Sequence, residues 1–99
     1  MIHVLAIITA KPGLRGQLLA LFNANGPAVH AETGCLEYGP VIDVPGAESA
    51  FGPDTFVSVE KWASLEALKA HAVAPHMVAY GAKAKDMLAG RAIHVMQPV

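Results

Sequence analysis

The chain has 99 residues, which suits one domain and leaves too little for a separate regulatory or catalytic module. Its formal charge of −1, with seven basic and eight acidic residues and no basic cluster, argues against nucleic acid or an anionic lipid surface as partner. A hydrophobic share of 54% is high for so small an interior, so part of the apolar surface is expected to meet a second copy of the chain.

No stretch approaches the roughly 18 to 20 consecutive apolar residues of a membrane span. Lys11-Pro12-Gly13 stands after the first apolar run where a signal peptide would carry its cleavage site. Cys35 is the one cysteine and forms no internal disulfide, which fits a reducing compartment. The expectation is a single domain over residues 1–99 in a cytoplasmic protein.

Ile2 to Thr9 form a β-branched run apolar on both faces, with Ile2, Val4, Ala6 and Ile8 alternating against His3, Leu5, Ile7 and Thr9. Such a strand needs cover on both sides, helices on one and a partner subunit on the other. Pro12-Gly13 ends it, and Leu14, Leu18, Leu21 and Phe22 recur at helical spacing. Pro27 lacks the N–H that would bond the Asn23 carbonyl, so two helical segments are expected, about 13–24 and about 27–33.

Cys35 to Val44 read as an edge strand interrupted by Gly39-Pro40, with Leu36, Tyr38 and Ile42 on one side. Pro45 to Asp54 carry turn chemistry and are expected to be mobile. Thr55 to Trp62 form the next strand, with Phe56, Ser58, Glu60 and Trp62 on one face. Ser64 is placed to cap a short helix whose buried stripe is Leu65, Leu68 and Ala72. Pro75 opens another, which turns Met77, Tyr80, Ala84 and Met87/Leu88 inward and stops at Gly90. Ala92 to Met96 close the chain as a strand. The order is βαββαβ, an α+β class with a ferredoxin-like plan: a four-stranded antiparallel sheet carrying its helices on one face.

Glu60-Lys61-Trp62-Ala63-Ser64-Leu65-Glu66-Ala67-Leu68-Lys69-Ala70-His71, followed by Ala74-Pro75-His76-Met77, resembles the pattern E-x-W-x-S-x-E-A-L-x-x-H then P-H-F/M of the antibiotic biosynthesis monooxygenase family. Lys11-Pro12-Gly13 and Glu32-Thr33-Gly34-Cys35-Leu36-Glu37-Tyr38 resemble that family's K-P-G and E-x-G-C-L-x-Y. The resemblance covers most of the chain. It implies a dimeric α/β barrel, in which two sheets pack face to face, and a pocket between sheet and helices. It also implies activities from cofactor-free oxygenation of quinols, anthrones and other phenols to isomerisation and haem degradation. Haem-degrading relatives place an axial histidine about ten residues beyond the position of His71, where this chain has Gly81 beside Tyr80.

A phenol can be oxygenated without metal or flavin when the ionised substrate itself passes an electron to dioxygen, so the protein must supply a base and a dry aromatic pocket. His71 is the leading base candidate, since imidazole has a pKa of about 6.5 and the residue borders the buried stripe of its helix. A structural histidine would occupy the same place. His76, in the first turn of its helix, is the second candidate base. Glu60, facing the helical layer, either orients His71 or a substrate hydroxyl or is tied to a backbone N–H or a lysine.

Trp62, Tyr38, Tyr80 and Met77 are candidate substrate contacts, the tryptophan as a wall whose indole N–H reaches the ligand. His3, His94 and His30 are read as structural or surface residues, and Cys35 as a small buried hydrophobe. His71 and His76 are five apart across Pro75, outside the spacing of a helical metal pair, and no glycine-rich phosphate loop follows a strand. Neither metal nor nucleotide cofactor is therefore expected. The readings left open are a cofactor-free monooxygenase acting on a small aromatic molecule, a non-redox isomerase of a small carbonyl compound, and a non-catalytic ligand-binding dimer.

Overall fold

The computed structural model describes residues 1–99. The elements run β1 (Ile2–Ala10), α1 (Arg15–His30), β2 (Cys35–Val41), β3 (Thr55–Trp62), α2 (Leu65–Ala72), α3 (Pro75–Ala84) and β4 (Leu88–Met96), with a single 3-10 turn, Lys85–Met87, between α3 and β4. The sheet order is β2-β3-β1-β4 with every pairing antiparallel, the ferredoxin-like arrangement that the element order implies. No helix is long and apolar enough to cross a membrane.

The register sorts the sheet into two faces, because residues opposite each other across a ladder project the same way. Val4, Ala6 and Ile8 of β1 stand opposite Glu60, Ser58 and Phe56 of β3 and face the helices, where they join Leu18, Phe22 and Val29 of α1 in the core. Leu5 and Ile7 stand opposite Val59 and Val57 on one side and His94 and Ala92 on the other, on the open face. Leu5 is 37% exposed there and Val41 49%. The two-sided apolar character of β1 is thus real, but only one side is covered within the chain.

Several sequence expectations change. α1 is one helix through Pro27 rather than two segments. Pro27 lies in its last turn, where losing one hydrogen bond costs little. That turn is fixed by tertiary contacts: Val29 is fully buried and His30 Nε2 donates to the Tyr38 carbonyl at 2.7 Å. β2 passes through Gly39-Pro40 and ends at Val41, which an edge strand tolerates because one row of its N–H groups has no partner anyway. A register shift between Cys35 and Glu37 makes Leu36 the extra residue, so Leu36 is exposed while Tyr38 is buried. Gly90 does not stop a helix: α3 ends at Ala84, and Leu88 and Gly90 already pair with Ala10 and Thr9 in β4.

Residues 42–54 form no helix or strand, but the segment is tied down. Asp43 accepts from the Phe51 and Gly52 N–H groups at 3.0 and 2.9 Å, Asp54 accepts from the Gly13 N–H at 2.9 Å, and Arg15 Nη1 donates to the Gly52 and Thr55 carbonyls. The two backbone bonds hold the Asp43 carboxyl below its ordinary pKa.

Gly34 closes the turn between α1 and β2 with φ of +84°, and a Cβ placed there would stand 2.7 Å from the Ala67 Cβ of α2. Its carbonyl accepts from the Ala63 N–H at 2.8 Å. Gly34→Ala is expected to destabilise the protein by about 1–2 kcal/mol through the backbone conformation alone, with a further cost from the contact. Chemical denaturation of Gly34→Ala and Gly34→Ala/Ala67→Gly, with Ala67→Gly alone measuring the cost of glycine in α2, separates the two parts through the double-mutant coupling. Wild-type stability in Gly34→Ala would show that neither constraint operates.

Candidate functional site

α2 begins at Ser64, whose Oγ accepts from the Ala67 N–H at 3.1 Å, and this cap sets the phase that brings His71 round to the sheet in the last turn. There the imidazole is 6% exposed, lying over Trp62 at a centroid distance of 4.6 Å and edge-on to Tyr38 at 5.6 Å. Its Nδ1 meets Glu32 Oε2 at 2.7 Å. Glu32 sits two residues before Gly34, so the close approach of that turn to α2 is what delivers the carboxylate. A carboxylate oxygen accepts, so Nδ1 carries a proton, and in the neutral imidazole Nε2 is the nitrogen with the lone pair. Nε2 has no hydrogen-bond partner in the protein, and His71 lines a cleft between sheet and helices of about 820 Å³.

His76 lies behind this pair rather than in the cleft. Its Nε2 is 3.2 Å from the same Glu32 oxygen, but the approach is off the hydrogen-bond direction and the nitrogen is buried without a bonded partner. Its Nδ1 accepts from Asn25 Nδ2 at 3.2 Å, and the same amide approaches Met77 Sδ at 3.3 Å. The lone pair a base would use is therefore already engaged. The structure gives His76 a supporting place beside Glu32, in contrast to the second-base role expected from its position after Pro75.

Glu60 is satisfied by its own strand neighbours: Trp62 Nε1 donates to Oε1 at 3.0 Å and Ser58 Oγ to Oε2 at 2.9 Å. Residues two apart on a strand share a face, which places both donors beside the carboxylate. Neither of the expected tethers, a backbone N–H or a lysine, is used, and Glu60 does not orient His71. Trp62 is correspondingly not a cleft wall, because the ring is fully buried and its N–H is spent on Glu60.

Tyr38, Tyr80 and Met77 do line the cleft, with Phe22 behind them. Phe22 stacks on Tyr38 at 5.1 Å and meets Tyr80 edge-on at 6.2 Å. Burial raises the pKa of the Tyr38 phenol far above its usual range, with the negative charge of Glu60 adding to it and the Ser58 hydroxyl opposing. Burial also raises Tyr80, against the opposing charge of Arg91. Both hydroxyls therefore remain protonated donors. Cys35 is pushed up by burial and then by Glu32 and Glu60, which keeps it a thiol and not a nucleophile. His3 and His94 lie on the open face, as their register requires.

Sequence reasoning missed Glu32 and Asn25 as site residues and treated Ser58 only as a face residue. Glu32 stood inside a motif already noted, and a buried histidine needs a group to orient it, but nothing in the spacing connects position 32 to position 71. The resulting arrangement is an oriented imidazole with a free nitrogen, two phenol donors, and aliphatic and aromatic walls. It suits removal of a proton from an aromatic ligand held against apolar walls.

Residues 1–83 match the family model described as antibiotic biosynthesis monooxygenase. The Escherichia coli K12 protein named probable quinol monooxygenase YgiN is 35% identical, the match covering 99% of this chain and 98% of that protein. Among solved structures, Rv0793 from Mycobacterium tuberculosis is similar at TM-score 0.82 and 28% identity, covering 99% of this chain and 94% of that one. PA3566 from Pseudomonas aeruginosa shares the fold at TM-score 0.84 and 24% identity, covering 99% and 93%.

The raised pKa of Tyr38 and Tyr80 links stability to alkaline pH. In both, the folded pKa exceeds the unfolded value of about 10, so their contribution is complete below that pH and is lost as pH rises above it. An ultraviolet titration should show little phenolate in the native protein at about pH 10, where the unfolded chain is half ionised. A native phenolate signal as large as that of the unfolded chain at that pH would contradict the buried placement of both rings.

Proposed function

The chain belongs to the antibiotic biosynthesis monooxygenase family, and on that footing we propose that it is a quinol monooxygenase acting without a cofactor. The observation that carries this reading is the Glu32–His71 pair, which presents a free Nε2 to a largely apolar cleft. Nε2 takes the hydroxyl proton of a bound quinol. The quinolate passes one electron to dioxygen, and the semiquinone and superoxide so formed join at a ring carbon as a peroxide. Protonation of the peroxide from His71, then loss of the ring-carbon proton as the O–O bond cleaves, releases the outer oxygen, which takes up that second proton to leave as water, and gives a hydroxyquinone. Quinol plus dioxygen thus become hydroxyquinone plus water. Glu32 keeps the imidazole in one tautomer and stabilises its cation, as the carboxylate partner of a catalytic histidine does elsewhere. Tyr38 and Tyr80 donate to substrate oxygens, and Met77 and Phe22 hold the ring.

Oxygen uptake by the purified, metal-free protein with 1,4-naphthoquinol, measured against autoxidation, tests this. His71→Ala is expected to lower kcat by about 100-fold or more, and Glu32→Gln by less, with the circular dichroism spectrum unchanged. Uptake no faster than autoxidation would end the oxygenase reading. Uptake unchanged in His71→Ala would remove that residue from the mechanism.

The working unit in this reading is a homodimer joined through the open sheet face, in the cytoplasm, where the lone Cys35 stays reduced. Leu5, Ile7, Val59, Ala92 and Met96 give that face an apolar strip which no helix covers. Sedimentation at micromolar concentration is expected to give twice the chain mass and Leu5→Asp to give a monomer. A wild-type monomer under those conditions would refute the arrangement.

A further inference from the structure

His76 Nε2 is the one buried side-chain nitrogen or oxygen of the chain without a hydrogen-bond partner. A buried polar atom left unpaired is costly, so its persistence calls for a reason. The nitrogen stands 3.2 Å from Glu32 Oε2, the same oxygen that His71 Nδ1 meets at 2.7 Å. Two imidazoles on successive helices, one ending α2 and the other beginning α3, thus converge on one carboxylate oxygen. His71 lines the cleft and His76 does not, so the second ring acts on a ligand only through Glu32.

Asn25 decides which nitrogen of His76 carries the proton. Its Nδ2 group, on α1, is 3.2 Å from His76 Nδ1 and 3.3 Å from Met77 Sδ. Both neighbours can accept and an amide nitrogen has two hydrogens to give, so the NH2 end of the amide is the end turned to α3. His76 Nδ1 then spends its lone pair on Asn25, and the proton of the neutral ring is on Nε2, beside Glu32. With the amide reversed, Oδ1 would face the sulfur and demand a proton on Nδ1, and a neutral His76 would turn the Nε2 lone pair toward a carboxylate. The Nε2–H lies off the direction of a full hydrogen bond, yet at 3.2 Å its positive end still attracts Oε2 and resists rotation of Glu32 away from His71.

We propose that Asn25 and His76 are positioning residues: Asn25 fixes the tautomer of His76, and the His76 Nε2–H steadies Glu32 so that Glu32 orients His71. Asn25, His76, Glu32 and His71 form one chain of polar contacts that crosses from α1 to α3 and ends at the cleft. The kinetic consequence rests on His71 being the base of the proposed reaction, whereas the orientation of the rings does not.

Nitrogen-15 NMR of the histidine side chains at about pH 8.5, well above the ordinary imidazole pKa of about 6.5, reads the tautomers directly. The expected wild-type pattern is a single tautomer for each ring, protonated at Nδ1 in His71 and at Nε2 in His76. Asn25→Leu should leave His76 a mixture of tautomers, and both Asn25→Leu and His76→Leu should speed exchange of the His71 Nδ1 proton with water. His76→Gln should preserve that proton, because a glutamine amide nitrogen can stand where Nε2 stands and donate to Glu32. With 1,4-naphthoquinol, the two leucine variants are expected to lower kcat about fivefold, the worth of one hydrogen bond, with KM unchanged and His76→Gln close to wild type. A proton on Nδ1 of wild-type His76 overturns the role of Asn25. A His71 proton equally protected in all variants, or one lost in His76→Gln as in His76→Leu, overturns the role of His76. The expected spectra in a protein that consumes no oxygen with quinols leave the positioning roles standing and remove the oxygenase. Oxygen uptake with kcat unchanged in both leucine variants does the reverse.

Discussion

The close approach of the Gly34 turn to α2 is the constraint on which the candidate site depends. Only hydrogen fits between the Gly34 Cα and Ala67, and φ of +84° is a conformation that side chains resist. Because the turn lies flat against the helix, the Gly34 carbonyl takes the Ala63 N–H, and Glu32, two residues earlier, reaches His71 on the next helical turn. A shift of even one ångström there would lengthen the 2.7 Å bond and free the imidazole to rotate.

Around that contact, the polar groups in the helix-facing layer are arranged so that most need nothing further from the protein. Burying an unpaired carboxylate is costly, and Glu60 avoids this by accepting from Trp62 and Ser58 on its own strand. The same bonds fix the indole, which in turn supports the imidazole lying over it. His71 is therefore held on two sides, by Glu32 through hydrogen bonding and by Trp62 through ring contact, while Nε2 remains free. Rigid support of this kind, in which the reacting nitrogen is the one left without a partner, is what preorganised catalysis requires.

The sheet explains the chain's unusual hydrophobic content. β1 is central and largely apolar on both faces, but the helices cover one face only. Even on that face cover is uneven: α1 packs over β1, β2 and β3 and α2 over β3, while Ile93 and Val95 of β4 remain about half exposed beside the cleft. The cleft exists because the helical layer stops short of β4, and the edge strand supplies its outer wall together with Arg91.

The βαββαβ order, the faces of β1 and β3, the Ser64 cap and the start of α3 at Pro75 follow from alternation, helical spacing and proline chemistry, which are local rules that a linear reading captures. So does the unequal cover of β1, since a strand apolar on both sides must find cover twice. Continuity of α1 through Pro27 was not legible, because buried Val29 and the bond from His30 to Tyr38 override a local helix-breaking tendency. The bulge at Leu36 was equally hidden, as one extra residue reverses the faces of a strand without any mark in its composition. His71 and the two tyrosines could be nominated from residue type and motif. Which groups engage them could not, for the pairing of Glu32 with His71 spans 39 positions and that of Asn25 with His76 spans 51. The sequence by itself determined which residues could do chemistry and which faces they share. Only the tertiary structure decided that Glu32 holds His71 and that Asn25 engages His76, because hydrogen-bond partnership between distant positions depends on distances in space that no local pattern encodes.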